Sequence, residues 1–94
     1  MNAQAWKGLI GQLKCVLCEH CGADQKGRTY PHHCRMGQGL SERASDFCVI
    51  ALCHYHHQGA GGVHQLGPGG LYQRYVADEL DLLAMTIEAA AHKL

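Results

Sequence analysis

CVLCEHCG at residues 15–22 and CHYHH at residues 53–57 decide how this chain is read. Tetrahedral zinc takes four Cys or His ligands, and a Cys-x2-Cys turn offers two thiolates at once, so two half-sites from distant segments close the sphere. Cys18 and Cys21 form one half and Cys53 and His56 the other, with 31 residues between them. The first run also contains Cys15-x2-Cys18. Gly22, directly after Cys21, favours the Cys18 and Cys21 register, because a knuckle uses the left-handed turn that glycine tolerates. Cys15 is then a partly buried thiol beside the site, His20 faces solvent, and Cys34 and Cys48 read as small core residues.

The need for such a staple follows from size. A chain of 94 residues, 47% apolar, builds one domain and no more, and Trp6, Phe47 and four Tyr are its only large aromatics. Six Cys and eight His therefore propose a metal or disulfides. The amino terminus lacks the basic and apolar regions of a secretion signal, and no apolar run is long enough to span a membrane. A cytoplasmic address is expected, which favours thiolate metal ligation over disulfides. A weaker reading pairs all six Cys as disulfides and predicts no bound metal.

Outward from the knuckles, residues 3–14 carry Trp6, Leu9, Ile10 and Leu13 at helical spacing and predict a short lead-in helix over 1–14. DQKGR at 24–28 reads as a turn. Thr29 to Arg35 reads as a strand, since Tyr30 precedes Pro31 and is held extended. Gly37, Gly39 and Ser41 mark a loop, Phe47 to Leu52 predicts a second strand, and residues 53–57 open a short helix. Residues 58–70 look too Gly-rich for regular structure. Tyr72, Val76, Leu80, Leu83, Ile87, Ala91 and Leu94 form one apolar stripe, predicting a helix over 69–94 that packs on the 15–68 core or forms a dimer seam. The expected class is α+β, a small zinc-stapled domain with a long carboxy-terminal helix, monomeric or homodimeric.

Among the histidines left once zinc takes His56, four fall within 33 residues, His32, His33, His57 and His64, with Asp46 just before the second strand. The set suits metal-assisted phosphodiester hydrolysis. That chemistry needs a base of near-neutral pKa, a divalent ion to hold the phosphate, and a polar group to fix the base's tautomer. Adjacent strand residues face opposite ways, so His32 and His33 cannot both meet one ion from an ideal strand. Either the strand breaks after Pro31 or only one of the two is catalytic.

Cys18-x2-Cys21-Gly22, His32-His33, Ala51-Leu52-Cys53 and Cys53-x2-His56-His57 together resemble the His-Me finger (HNH) nucleases of the ββα-metal fold. Within them the chain is most similar to the phage and prophage recombination-enhancement type, where a double His, a Ser-Asp (Ser45-Asp46) and a Gly-Val-His segment (Gly62-Val63-His64) recur. The resemblance covers about residues 15–85. It implies an endonuclease acting on DNA in recombination or repair, encoded by a phage or prophage and working in the bacterial cytoplasm, with a recombinase filament or other recombination protein as partner. By the same resemblance His33 is the general base, Asp46 orients the base or touches the ion, and His32, His57 and His64 hold a catalytic Mg2+ or Mn2+, or Zn2+ in crystals. Asp46 departs from the pattern, which carries Asn closer to the final knuckle.

The formal charge is zero, which tempers nucleic-acid binding. Residues 1–57 nonetheless carry six basic and four acidic residues, against two and four in 58–94, so DNA would meet the first part. Lys26, Arg28, Arg35 and Arg43 are the candidate phosphate contacts. So few contacts imply weak, salt-sensitive binding. The competing reading is a non-catalytic zinc module for nucleic-acid or protein binding, in which the histidines merely pack.

Overall fold

The computed structural model describes residues 1–36 and 45–94. Arg43 and most of the loop after Met36 lie outside the described residues. At the centre is an antiparallel ribbon of β1 (Thr29–His33) and β2 (Val49–Cys53), in register from Thr29 opposite Cys53 to His33 opposite Val49. A further bond, Cys34 N–H to the Cys48 carbonyl at 2.9 Å, extends the pairing. Pro31 has no N–H to give and sits opposite Ala51. The Ala51 N–H donates to Thr86 Oγ1 at 3.2 Å, so a helix side chain closes that edge of β2.

Every residue of β2, VIALC, is buried. A lone two-stranded ribbon is marginal in water, so its stability must come from what covers it. Three helices do this: α1 (Ala3–Ile10), α2 (Val16–Cys21) and α5 (Glu79–Lys93) all pack on β2. Asn2 caps α1 by accepting from the Ala5 N–H at 2.8 Å, and Ile10 is its fully buried residue. Trp6 Nε1–H donates to the Phe47 carbonyl at 3.1 Å, tying α1 to the approach to β2. The lead-in helix is thus part of the common core. Cys34 is buried and Cys48 packs against the core, as their reading as small core residues expects.

The chain after β2 departs from expectation twice. The short helix expected from 53–57 forms as α3 (His54–His57), but residues expected to be irregular then enter α4 (Val63–Tyr75), whose two helical pieces meet at Gly67, in the left-handed region at φ 69° and followed by Pro68. The helix expected over 69–94 is broken. Val76 adopts φ 56° and ψ 41° and ends α4, and Asp78 caps α5. Asp78 accepts from the Asp81 N–H while the Asp81 carboxylate accepts from the Asp78 N–H, both at 2.9 Å, a reciprocal capping box.

The expected stripe is also out of phase. Tyr72, Val76, Leu80, Ile87 and Leu94 are exposed, whereas Glu79, Leu82, Thr86 and Ala90 are buried, with Leu83, Met85 and Ala89 partly so. Thr86 explains part of the difference. Its hydroxyl donates to the Leu82 carbonyl at 2.8 Å and accepts from Ala51, so a polar residue is satisfied at full burial. Among the described residues no helix is long and apolar enough to cross a membrane.

Candidate metal centres

Cys15, Cys18, Cys53 and His56 converge as four buried groups. Cys15 precedes α2, and its sulfur accepts the Cys18 N–H at 3.4 Å, so the turn that starts the helix also brings two sulfurs together. Cys53 ends β2, and α3 then returns His56 to it within one turn. His56 Nδ1 lies 3.6 Å from Cys15 Sγ, 3.3 Å from Cys18 Sγ and 3.5 Å from Cys53 Sγ, and the Cys18 and Cys53 sulfurs are 3.7 Å apart. A tetrahedron with Zn–S near 2.3 Å and Zn–N near 2.1 Å has edges of about 3.6–3.8 Å, so the set is compatible with a structural zinc site.

This corrects the expected ligand set: Cys15 takes the place given to Cys21, which is exposed. Gly22 is left-handed as expected, at φ 73°, but it serves as the C-cap of α2. Burial raises the Cys15 thiol above its ordinary pKa, and burial with the neighbouring Cys15 raises Cys18. Burial, with Arg74, lowers His56. The Tyr55 and Tyr75 rings stand edge-on to His56 at 5.1 and 5.7 Å and screen the centre.

A second group gathers His32, His57 and His64. Ring centroids are 5.0 Å apart for His32–His57 and His32–His64 and 4.8 Å for His57–His64, and the His57 and His64 Nε2 atoms are 3.0 Å apart. Gly62 makes the approach feasible. A Cβ there would lie 2.8 Å from the His57 carbonyl, so only glycine lets the chain turn against α3 and bring His64 beside His57. Burial, with His32 and His64, pushes His57 down to about 4, and burial with Arg35 lowers His64. Both rings are therefore neutral near pH 7, as metal ligation requires. His32 is 4% exposed, and its Nε2 has no hydrogen-bond partner. A buried imidazole nitrogen without a partner is costly unless something outside the polypeptide meets it, so the donors fit a divalent cation.

His33 points elsewhere. Its Nε2 lies 2.7 Å from Asp46 Oδ1, and Lys7 Nζ lies 3.7 Å from the same oxygen. The alternation of strand faces thus sends His32 to the imidazole group and His33 to the carboxylate. The candidate phosphate contacts are scattered. Lys26 and Arg28 are exposed before the first residue of β1, Arg28 over the Tyr30 ring at 4.9 Å, and Lys26 lines a cavity beside Cys18, Cys53 and His56. Arg35 is held by Glu79 Oε2 and the Val63 carbonyl, each 3.5 Å from the guanidinium.

Three contributors escaped the sequence reading. The sequence reading makes Cys15 a thiol beside the site and gives no role to Lys7 in the lead-in helix. Glu79, 4% exposed, has Oε1 2.6 Å from the Arg35 N and 3.6 Å from His32 Nε2. Burial opposes its ionisation, but His32 and Arg35 outweigh that and hold its carboxyl below the ordinary value. The usable signal for Glu79 was Asp78-x-x-Asp81, which starts a helix there and turns its first residue inward. Comparison with protein-family models, curated proteins and solved structures finds nothing that matches this chain.

Proposed function

We propose that this chain is a divalent-metal-dependent endonuclease of the His-Me finger kind, hydrolysing DNA phosphodiester bonds in phage recombination or repair. The observation that supports the reading is the end of β1, where successive residues serve two groups: His32 joins the imidazoles and His33 meets Asp46 at 2.7 Å. A cation at His32, His57 and His64, Mg2+ or Mn2+ in this reading, would supply positive charge for the scissile phosphate and the leaving oxygen.

The chain's own residues do the rest. With the proton on Nε2, His33 donates to Asp46, and Nδ1 is left to take a proton from the attacking water. Asp46 fixes that tautomer, and Lys7 supports the carboxylate from α1. A base so placed contributes roughly 10² to 10⁴ in rate. The Cys15, Cys18, Cys53 and His56 group anchors the start of α3, and His57 follows directly. Among the described candidates Arg35 is engaged by Glu79, which leaves Lys26 and Arg28 for phosphate, so weak DNA binding with targeting by a recombination partner is the natural consequence.

Purified protein given Mg2+ or Mn2+ is expected to nick supercoiled plasmid. His33→Ala should reduce nicking by at least roughly a hundredfold, in line with loss of a general base, with zinc content unchanged. If both proteins behave alike at matched salt, the chain is a non-catalytic zinc module.

A further inference from the structure

We propose that Glu79 is the fourth protein ligand of the His32, His57 and His64 centre. The proposal rests on the reading of that centre as a cation site and adds a carboxylate from a different part of the chain. Glu79 opens α5 immediately after the Asp78 cap, and among the described residues it is the one Asp, Glu, Lys or Arg that is buried. A carboxylate does not go to 4% exposure without partners. Arg35 accounts for part of its bonding capacity: the backbone N–H is 2.6 Å from Oε1, and the guanidinium is 3.5 Å from Oε2.

The rest of Oε1 is directed at His32 Nε2, 3.6 Å away. That separation is too long for a hydrogen bond, and the nitrogen has no other partner, so the two atoms face each other with nothing shared between them. It is the length expected when one ion lies between them. Ligands at about 2.1–2.2 Å are roughly 3.0 Å apart at an octahedral right angle and roughly 3.4–3.6 Å apart at a tetrahedral angle. The His57–His64 separation of 3.0 Å and the His32–Glu79 separation of 3.6 Å fall at these two values, and because Glu79 stands outside the set of imidazole ligand atoms that all lie within 4.8 Å of one another, ligation requires its carboxylate to swing toward the ion.

Charge and access agree. Three neutral imidazoles would leave a divalent ion with its full charge in a half-buried place, whereas one carboxylate halves it. Carboxylate oxygen also moves preference from copper and nickel toward manganese and magnesium, the ions phosphodiester chemistry uses. His64 and Glu79 both line a cavity of about 260 Å³ with Arg35, Met36, Gly67 and Pro68, so the carboxylate borders space a substrate oxygen could enter.

The test is manganese binding to zinc-replete protein, followed through the electron paramagnetic resonance of free Mn2+, together with a manganese-soaked crystal of the unaltered chain. Glu79→Gln keeps size and an acceptor for Arg35 but loses the anion. It should weaken Mn2+ binding at least roughly tenfold, with zinc content unchanged. In the crystal, the ion should lie within about 2.4 Å of a Glu79 oxygen, in contact with the imidazoles. Equal affinity in both proteins, or an ion on the imidazoles more than about 3 Å from Glu79, overturns the ligand role and leaves the cation site standing. Absence of any second ion in the unaltered protein removes the cation reading and this proposal with it. If Glu79→Gln does not fold, the crystal decides alone.

Discussion

Cys15 and Cys21 stand at the two ends of the same six-residue helix, and only their positions on it distinguish a ligand from a bystander. Cys15 is at the N-cap, where the sulfur accepts an otherwise unpaired N–H and faces Cys53 and His56; Cys21 is at the opposite end and exposed. Spacing could not separate them, because both pairs with Cys18 are Cys-x2-Cys. Gly22 misled for a physical reason: a left-handed residue ends a helix as readily as it closes a knuckle. The two substitutions should therefore part company. Cys21→Ser is expected to keep one equivalent of zinc and to change stability by no more than about 0.5 kcal/mol, as for an ordinary exposed site. Cys15→Ser removes one of four ligands from a centre of the kind that supplies about 10 kcal/mol or more to folding in small zinc domains, so zinc should be lost to a mild chelator and the chain should unfold with it. Zinc stoichiometry and urea midpoints check both outcomes, and retention of zinc by Cys15→Ser would restore Cys21 as the ligand.

What was legible at the scale of elements was the chemistry-bearing part. The two half-sites, the paired strands and the short helix carrying His56 and His57 all form near where they were expected, because metal ligands and β-rich runs announce themselves by residue type. The carboxy-terminal third was misread because its signal was periodicity alone. Two of the four residues α5 buries, Glu79 and Thr86, are polar and carry no hydrophobic signal, while Leu80 and Ile87 are left outside. The same misreading hid the break at Val76, where a β-branched side chain sits at φ 56° and is 70% exposed. Left-handed geometry costs an L-residue about 1–2 kcal/mol, and a branched Cβ suffers most. Glycine relieves this, offset by about 0.4–1 kcal/mol of extra freedom in the unfolded chain. Val76→Gly is thus expected to stabilise by up to about 1 kcal/mol, raising the melting temperature by a few degrees at this chain length. Val76→Ala, which keeps a Cβ, should gain much less. A fall in melting temperature for Val76→Gly would mean that the Val76 side chain does something its exposure conceals.

Across the whole molecule, each candidate centre contains imidazoles that burial makes harder to protonate, and this ties the fold to pH in a definite direction. His57 is lowered to about 4 by burial and by the neighbouring His32 and His64, and His56 and His64 are lowered as well. In the unfolded chain each returns to about 6.5, so between the two values the unfolded state binds protons that the folded state refuses. Stability therefore rises with pH across that window. The contribution is complete above about 6.5 and is lost as the pH falls toward 4. Glu79 extends the loss downward, because its folded carboxyl is lowered too and its contribution disappears only as the pH falls below the ordinary carboxylate value. Protonation of His56 also removes a group from the Cys15, Cys18 and Cys53 cluster, which adds to the effect in the same direction. Denaturant titrations at intervals from pH 8 to pH 3, without added divalent metal, should show a plateau above about 6.5 and a continuous decline below it. His57→Gln, which has no proton to gain, should flatten the upper part of that decline and leave the Glu79 part intact. A curve flat from pH 7 to pH 5 would mean that these rings are hydrated in the folded protein, and a cluster open to water in that way would not hold its imidazoles ready for a cation.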